Sequence, residues 1–199
     1  GLQARLSLST TRIDADEAMA QANMRTDRPC LVLRGDVLRS ACVAEFVRRA
    51  LEHDEDTIYA TAGSRSAWMM LTRGGSIAPL NWNSEMTSPR GTAVDLADAY
   101  VNEINTHAEL LDANLDAAAG RIPGLQLRGR ELALGLTAGT GTRVSPRSLK
   151  QGLAWIGAGS SIDPTAELLG EVVIDENALV DRRASIEYSL VMPNTYVGE

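Results

Sequence analysis

Lysine is almost absent from this chain. Of 19 basic residues among 199, Lys150 is the single lysine and the other 18 are arginines. Arginine does not replace lysine where a compact, strongly hydrated ammonium is needed. Cysteine is scarce too, with Cys30 and Cys42 in different expected elements. That count excludes zinc sites of the usual spacing and suggests no disulfide framework, so each thiol reads as a small buried hydrophobe. No apolar run approaches the roughly 20 residues of a membrane span, and no basic-then-apolar leader occurs. A membrane partner is therefore not expected, and the chain reads as cytoplasmic. Positive charge is not in excess either: the formal net charge is −7, which gives the surface no general attraction for polyanions. Trp68, Trp82 and Trp155 are not interleaved with basic residues as a stacking platform would be. Nucleic acid is not an expected partner, and the tryptophans read as core or domain-interface residues.

What the chain does have is a six-residue rhythm. Ile156, Ile162, Leu168, Ile174, Val180, Ile186 and Met192 succeed one another at intervals of six. Four residues after each of the first six stand Ser160, Ala166, Val172, Ala178, Ala184 and Leu190, mostly small. A period of six fits neither the helix nor the simple alternating strand. It is the hexapeptide repeat of a parallel β-helix. Each hexad supplies one short face, with its aliphatic residue inward and the small residue beside it at the turn. Asp163, Asp175, Asp181 and Glu187, each directly after an inward position, can face water. The stretch resembles the left-handed β-helix of hexapeptide-repeat proteins. That fold carries acyltransferases and also forms a C-terminal appendage of sugar-nucleotide synthases, so it does not by itself assign a function.

Ahead of the repeats the pattern is mixed. Residues 14–24 contain neither Gly nor Pro and predict a helix. Pro29 is followed by Cys30, Leu31, Val32 and Leu33 and then by Arg34-Gly35-Asp36, the pattern of a buried strand ending in a loop, as in an open parallel sheet. Val43, Phe46, Val47 and Ala50 share one face of a helix over 42–51, and strand followed by helix points to an α/β layer. Strands are expected over 57–62 and 67–72, a turn at Arg73-Gly74-Gly75 and a short return strand over 76–80. A loop over 81–92 and a last strand over 99–104 follow. Thr106 and Glu109 have capping-box spacing, which starts a helix that carries Leu111, Leu115 and Ala118 on one face and stops at Gly120. Pro123-Gly124 marks the boundary between an α/β domain, residues 1–124, and the β-helix, residues 125–199.

Two segments carry a family resemblance. The run Leu31-Val32-Leu33-Arg34-Gly35-Asp36-Val37-Leu38 resembles the middle motif of the sugar-phosphate nucleotidyltransferases, or NDP-sugar pyrophosphorylases. That motif is a buried strand running into Gly-Asp, usually with Asn before the Gly, and Arg34 stands in the place of that Asn. The run Glu103-Ile104-Asn105-Thr106, continuing through Glu109 to Ala113-Asn114, resembles the family's closing motif. There an acid, an aliphatic, Gly or Asn, and then Thr open a helix ending Ala-Asn; Glu103 stands where the family usually has Asp. Such a domain followed by a left-handed β-helix is a known layout of these synthases, and the resemblance covers residues 29–199. It implies an α/β fold with a partial, Rossmann-like nucleotidyltransferase sheet. It implies Mg²⁺ as cofactor, Asp36 and Glu103 as its ligands, and Gly35 and Asn105 as substrate-binding residues. Carboxylates suit the role because Mg²⁺ takes hard oxygen ligands and bridges phosphate oxygens. The implied reaction joins a sugar-1-phosphate to an NTP with release of pyrophosphate, for cell-surface polysaccharide.

The family's signature loop, Gly-x-Gly-Thr-Arg followed by Pro-Lys, has no counterpart before Cys30. Gly139-Thr140-Gly141-Thr142-Arg143 imitates it, but a nucleotide-binding loop must open a strand–loop–helix unit and no amphipathic helix follows. That segment is expected to be a first, irregular β-helix coil with glycine turns. The Glu-Lys-Pro sugar-phosphate motif is missing too, since residues 81–90 contain no lysine. The chain begins Gly-Leu and stops within the repeat rhythm. It is therefore expected to be a piece of a longer synthase, inactive by itself, and to form a homo-oligomer, a dimer or trimer. Two other readings stay open. One is a non-catalytic scaffold or regulatory protein on a degenerate nucleotidyltransferase fold. The other is a hexapeptide acyltransferase, disfavoured because neither His53 nor His107 lies in the hexads, where such enzymes usually carry their base.

Overall fold

The computed structural model describes residues 28–73 and 92–199. The helix expected over 14–24, the strand over 76–80, most of the turn after Arg73 and the expected loop up to residue 91 lie outside the described residues. The chain divides into two compact units, Gly1–Val101 and Asn102–Glu199. No helix among the described residues is long and apolar enough to cross a membrane.

In the first unit β1 (Cys30–Leu33), β2 (Val37–Arg39), α1 (Val43–Ala50), β3 (Thr57–Ala62), β4 (Arg65–Thr72) and β5 (Thr92–Asp95) follow in order, and β6 (Val101–Glu103) runs across the division. Four strands form a sheet in the order β1-β4-β3-β5. β3 and β4 are a hairpin, with Ala62 paired to Arg65 across a two-residue loop whose Gly63 has φ +59°. Such a loop can only join antiparallel strands. β1 also runs antiparallel to β4, with Cys30 opposite Thr72, and only β3 and β5 are parallel. The apolar run at Cys30 thus enters a mixed sheet, not the open parallel one expected. Its single neighbour among the described residues is β4, and Leu33 is 41% exposed. α1 lies against β3 and β5 and buries Phe46 and Ala50 completely, in one cluster with Ile58 and Val94. Trp68 belongs to the same core. Both thiols are free: Cys30 is buried as expected, but Cys42, at the N-cap of α1, is exposed.

The second unit ends in a β-solenoid of about three turns. β7 (Arg130–Ala133) and β8 (Leu136–Ala138) form an antiparallel hairpin. From β8 onward every pairing is parallel. One row runs from β8 through β9 (Leu153–Ile156) and β11 (Glu167–Ile174) to β13 (Ser185–Val191). Another runs from β10 (Ser161–Ile162) through β12 (Leu179–Val180) to β14 (Tyr196–Val197). Ile156 pairs with Ile174, Ile162 with Val180 and Leu168 with Ile186, so a coil takes eighteen residues, three hexads. The six aliphatic positions from Ile156 to Ile186 are at most 5% exposed, and Ser160, Ala166, Val172, Ala178 and Ala184 at most 3%.

Met192 does not follow: it is 52% exposed, and Val191 is buried in its place. The last coil is one residue shorter. Tyr188 alone stands opposite Gly170 and Glu171, between the pairs Leu169–Glu187 and Val172–Ser189, so Ile174 pairs with Val191 and Val180 with Val197. A one-residue slip turns each following side chain to the other face, which is why counting in sixes fails beyond Tyr188.

Helix α2 (His107–Ala118) precedes the solenoid in the same unit. The expected capping box is present. The Thr106 N–H donates to the Glu109 carboxylate at 2.8 Å and the Glu109 N–H to the Thr106 hydroxyl at 3.2 Å. The helix stops at Gly120, as expected, and lies against β9, β11 and β13, burying Ala113 and Leu115; Leu111 and Ala118 are half-buried. Arg121 ties it down, donating to Asp116 at 2.5 Å and with two nitrogens to Glu171 at 2.7 and 2.8 Å. The hydrogen-bonded guanidinium holds the Glu171 carboxyl below the ordinary range. A depressed folded pKa means stability present above the unfolded value and lost as pH falls through the folded one. Arg121→Ala is expected to cost about 1 kcal/mol near neutral pH, the pair being partly screened by solvent, and less near pH 3. Thermal melts of both proteins at the two pH values check this; a pH-independent difference would contradict it.

Candidate functional site

β1 delivers Gly35 and Asp36 into an exposed turn before β2. Both oxygens of Asp36 are taken by one partner: Arg34 donates from Nε to Oδ1 at 2.7 Å and from Nη2 to Oδ2 at 2.9 Å. This bidentate pair is the strong form of the interaction, and it holds the Asp36 carboxyl below the ordinary range. The guanidinium also lies 4.3 Å from the centroid of the Trp68 ring, within cation–π reach. Trp68 is placed for this by a bulge in β4, between the pairs Tyr59–Met70 and Thr61–Ser66, where it takes φ +52°. The Arg34 N–H donates to the Trp68 carbonyl at 3.2 Å, and Arg39 Nη2 to the Arg34 carbonyl at 2.6 Å. Backbone and side chain of Arg34 are therefore both positioned.

The second motif opens α2. Asn105 Nδ2 donates to Glu103 Oε2 at 3.3 Å, and the Asn105 N–H donates to the Glu109 carboxylate at 2.9 Å. Glu103 and Asn105 are thus brought together by the same turn that forms the capping box. Gly35 and Asp36 belong to the first unit, Glu103 and Asn105 to the second. Among the described residues no three His, Cys, Asp or Glu side chains gather as a metal cluster would require. The donor chemistry of Asp36 suits Mg²⁺, but its arrangement does not fit the ion. A guanidinium already occupies both oxygens, and it comes from the position where the family pattern has a neutral Asn.

The Gly139-Thr140-Gly141-Thr142-Arg143 segment is a corner and face of the first solenoid coil, as expected. Arg143 bridges to Ser161 of the next coil, and only a single 3-10 turn, Pro146–Ser148, follows. Gly141, at φ +72°, heads a column of left-handed corner residues continued by Gly159, Asn177 and Asn194. The segment lines an open groove together with Arg128, Arg130 and Trp155.

No protein-family model matches the chain, and no curated protein matches it. What stands is the fold of the described residues: sheet-rich, with few helices, ending in a β-solenoid. Neither histidine lies in the solenoid coils. His53 follows α1, its Nδ1 3.9 Å from Glu55, and His107 is the exposed first residue of α2. Sequence reasoning singled out Asp36 but missed Arg34 as its partner, although an Arg two residues ahead of an Asp was visible. It also passed over Arg128 and Arg130, which no period or motif marks.

Proposed function

We propose that this chain forms part of a sugar-nucleotide synthase, a protein that joins a sugar-1-phosphate to an NTP and releases pyrophosphate for cell-surface polysaccharide. What supports the reading is the order of three features along one chain. A strand runs into Gly35-Asp36, an acid–Ile–Asn–Thr turn opens the capped helix α2, and a β-solenoid, here taken as left-handed, follows. The capped turn carries most weight, because Glu103, Asn105 and Thr106 are held by one hydrogen-bonded loop. In this reading the first unit is a partial Rossmann-like nucleotidyltransferase sheet, and the solenoid's faces and coil edges serve homo-oligomerisation, which light scattering would reveal.

One observation favours a second reading, a scaffold or regulatory protein on a degenerate fold of this kind: the Arg34–Asp36 pair stands where Mg²⁺ would have to bind. Pyrophosphate release, assayed with common NTP and sugar-1-phosphate pairs, separates the two. This chain by itself is expected to stay at background. In the complete natural protein, turnover that falls roughly a hundredfold or more in Asp36→Asn with the fold intact supports the synthase, since that is the scale for losing one transition-state charge contact. Absence of turnover in the complete protein, with and without Arg34→Asn, supports the scaffold.

A further inference from the structure

We propose that the groove at the first solenoid coil binds a small organic phosphate, its phosphate held by Arg128, Arg130, Arg143 and the backbone N–H groups of the Gly141 corner. The argument starts from the repeat. At this corner each coil donates to the one before it. The N–H of Gly159 reaches the Thr140 carbonyl at 3.0 Å, that of Asn177 the Ala158 carbonyl at 2.9 Å and that of Asn194 the Glu176 carbonyl at 2.9 Å. Gly141 is the equivalent residue of the first coil, and among the described residues no coil precedes it and its N–H has no acceptor. The same holds one strand further on. Ile162 donates to the Arg143 carbonyl at 2.8 Å, whereas Val144, eighteen residues earlier, has no acceptor among the described residues. Backbone donors left over at such an edge must be satisfied by water or a ligand, and successive N–H groups at a turn make an anion-binding concavity.

The side chains agree. Arg128, Arg130 and Arg143 line this groove and are exposed, and none makes an ion pair or side-chain hydrogen bond among the described residues. Elsewhere in this acidic protein arginines are commonly paired, as Arg48, Arg121 and Arg183 are. Two acids also line the groove. Asp163 is engaged by the Thr165 N–H and hydroxyl at 2.8 and 2.6 Å, and Glu176 is exposed. Guanidinium forks match phosphate oxygens in pairs. An organic rather than inorganic phosphate follows from the apolar side chains that line the groove beside them, the half-buried Leu132 and Val144. Trp155 lines the same groove, and its buried indole N–H has no acceptor among the described residues.

Calorimetric titration of the whole chain in EDTA tests this, with ADP and glucose-1-phosphate as probes and adenosine as the control. EDTA removes any contribution from a magnesium-dependent site. At least one phosphate ester is expected to saturate, and adenosine to show no heat of binding. R143Q should weaken the ester by roughly tenfold, the scale for a lost charge-assisted hydrogen bond, and R128Q/R130Q/R143Q should abolish binding. The arginines are exposed, so the variants should keep the wild-type circular dichroism; if the triple variant does not, R130Q and R143Q are read singly. Amide resonances of Gly141 and Val144 should shift on titration. Absence of saturation by both esters below about 1 mM overturns the proposal, as does binding unchanged in the arginine variants. Binding lost in Asp36→Asn but kept in the arginine variants also overturns it, and would locate the phosphate at the site of the proposed synthase instead.

Discussion

Gly152→Ala is expected to cost roughly 3–5 kcal/mol, because strain and overlap add. Gly152 has φ +85°, where a Cβ costs about 1–2 kcal/mol from backbone sterics. The added methyl would also overlap the Gly170 carbonyl oxygen of the next coil and lie 2.5 Å from its carbon. That neighbour is backbone, next to the pair that joins Glu171 to Leu153, and it cannot move without opening the ladder between β9 and β11. Gly170→Ala is the informative comparison. It carries similar strain at φ +69°, but its Cβ would meet only Tyr188, the side chain at 3.6 Å and the backbone nitrogen at 4.0 Å, both ordinary contacts. It should cost about 1–2 kcal/mol, the strain alone. Urea unfolding followed by circular dichroism measures both, and equal losses would refute the stacking argument.

The solenoid was legible because its period belongs to no other structure. Six buried aliphatic residues in register need only side chains of the right kind at the right interval, and both are written in the chain. Its irregularity was not legible. Nothing local says that Tyr188, at φ +43°, does the work of Gly170 and Glu171 together, since tyrosine is not a residue that announces a left-handed turn. In the first unit α1, β3 and β4 could be read from their hydrophobic patterns, although the tight turn at Gly63 between the two strands was not singled out. β5 could not: four residues, Thr92–Asp95, pair in parallel with a strand some thirty residues earlier. The apolar residues of β1 likewise carry no information about which neighbour they receive or in which direction it runs.

The candidate site divides along the same line. The capping box that holds Asn105 beside Glu103 lies within seven residues and was visible as Thr106 and Glu109. The Arg34–Asp36 pair is also local, but its ring partner Trp68 arrives through a bulge thirty-four positions on. That Gly139–Arg143 is a solenoid coil is legible from the lack of an amphipathic helix after it. That its N–H groups open on a groove follows only from where the stacking of coils begins.

Ile174→Asp tests the interior of that stack. Ile174 is fully buried, paired with Ile156 on one side and Val191 on the other, within a cluster of aliphatic and alanine side chains. A carboxylate there would lack a donor: the nearby buried hydroxyl of Ser160 already donates to the Asp175 carbonyl at 2.7 Å and accepts from the Ala178 N–H at 3.0 Å. The expected loss is about 4–5 kcal/mol near neutral pH, against about 1 kcal/mol for Ile174→Val, which removes one methyl. Burial would raise the folded pKa of the new carboxyl above its unfolded value. Stability is then greatest below the unfolded pKa and is lost as pH rises toward the folded one, so the Asp variant should recover part of its deficit in acid while the Val variant should not. Met192→Asp completes the test. Counting in sixes makes Met192 another inward position, yet the shortened coil leaves it 52% exposed. The substitution should therefore change stability by no more than about 0.5 kcal/mol. A loss at Met192 as large as that at Ile174 would mean that the last coil keeps its full eighteen residues and that the one-residue slip at Tyr188 is wrong.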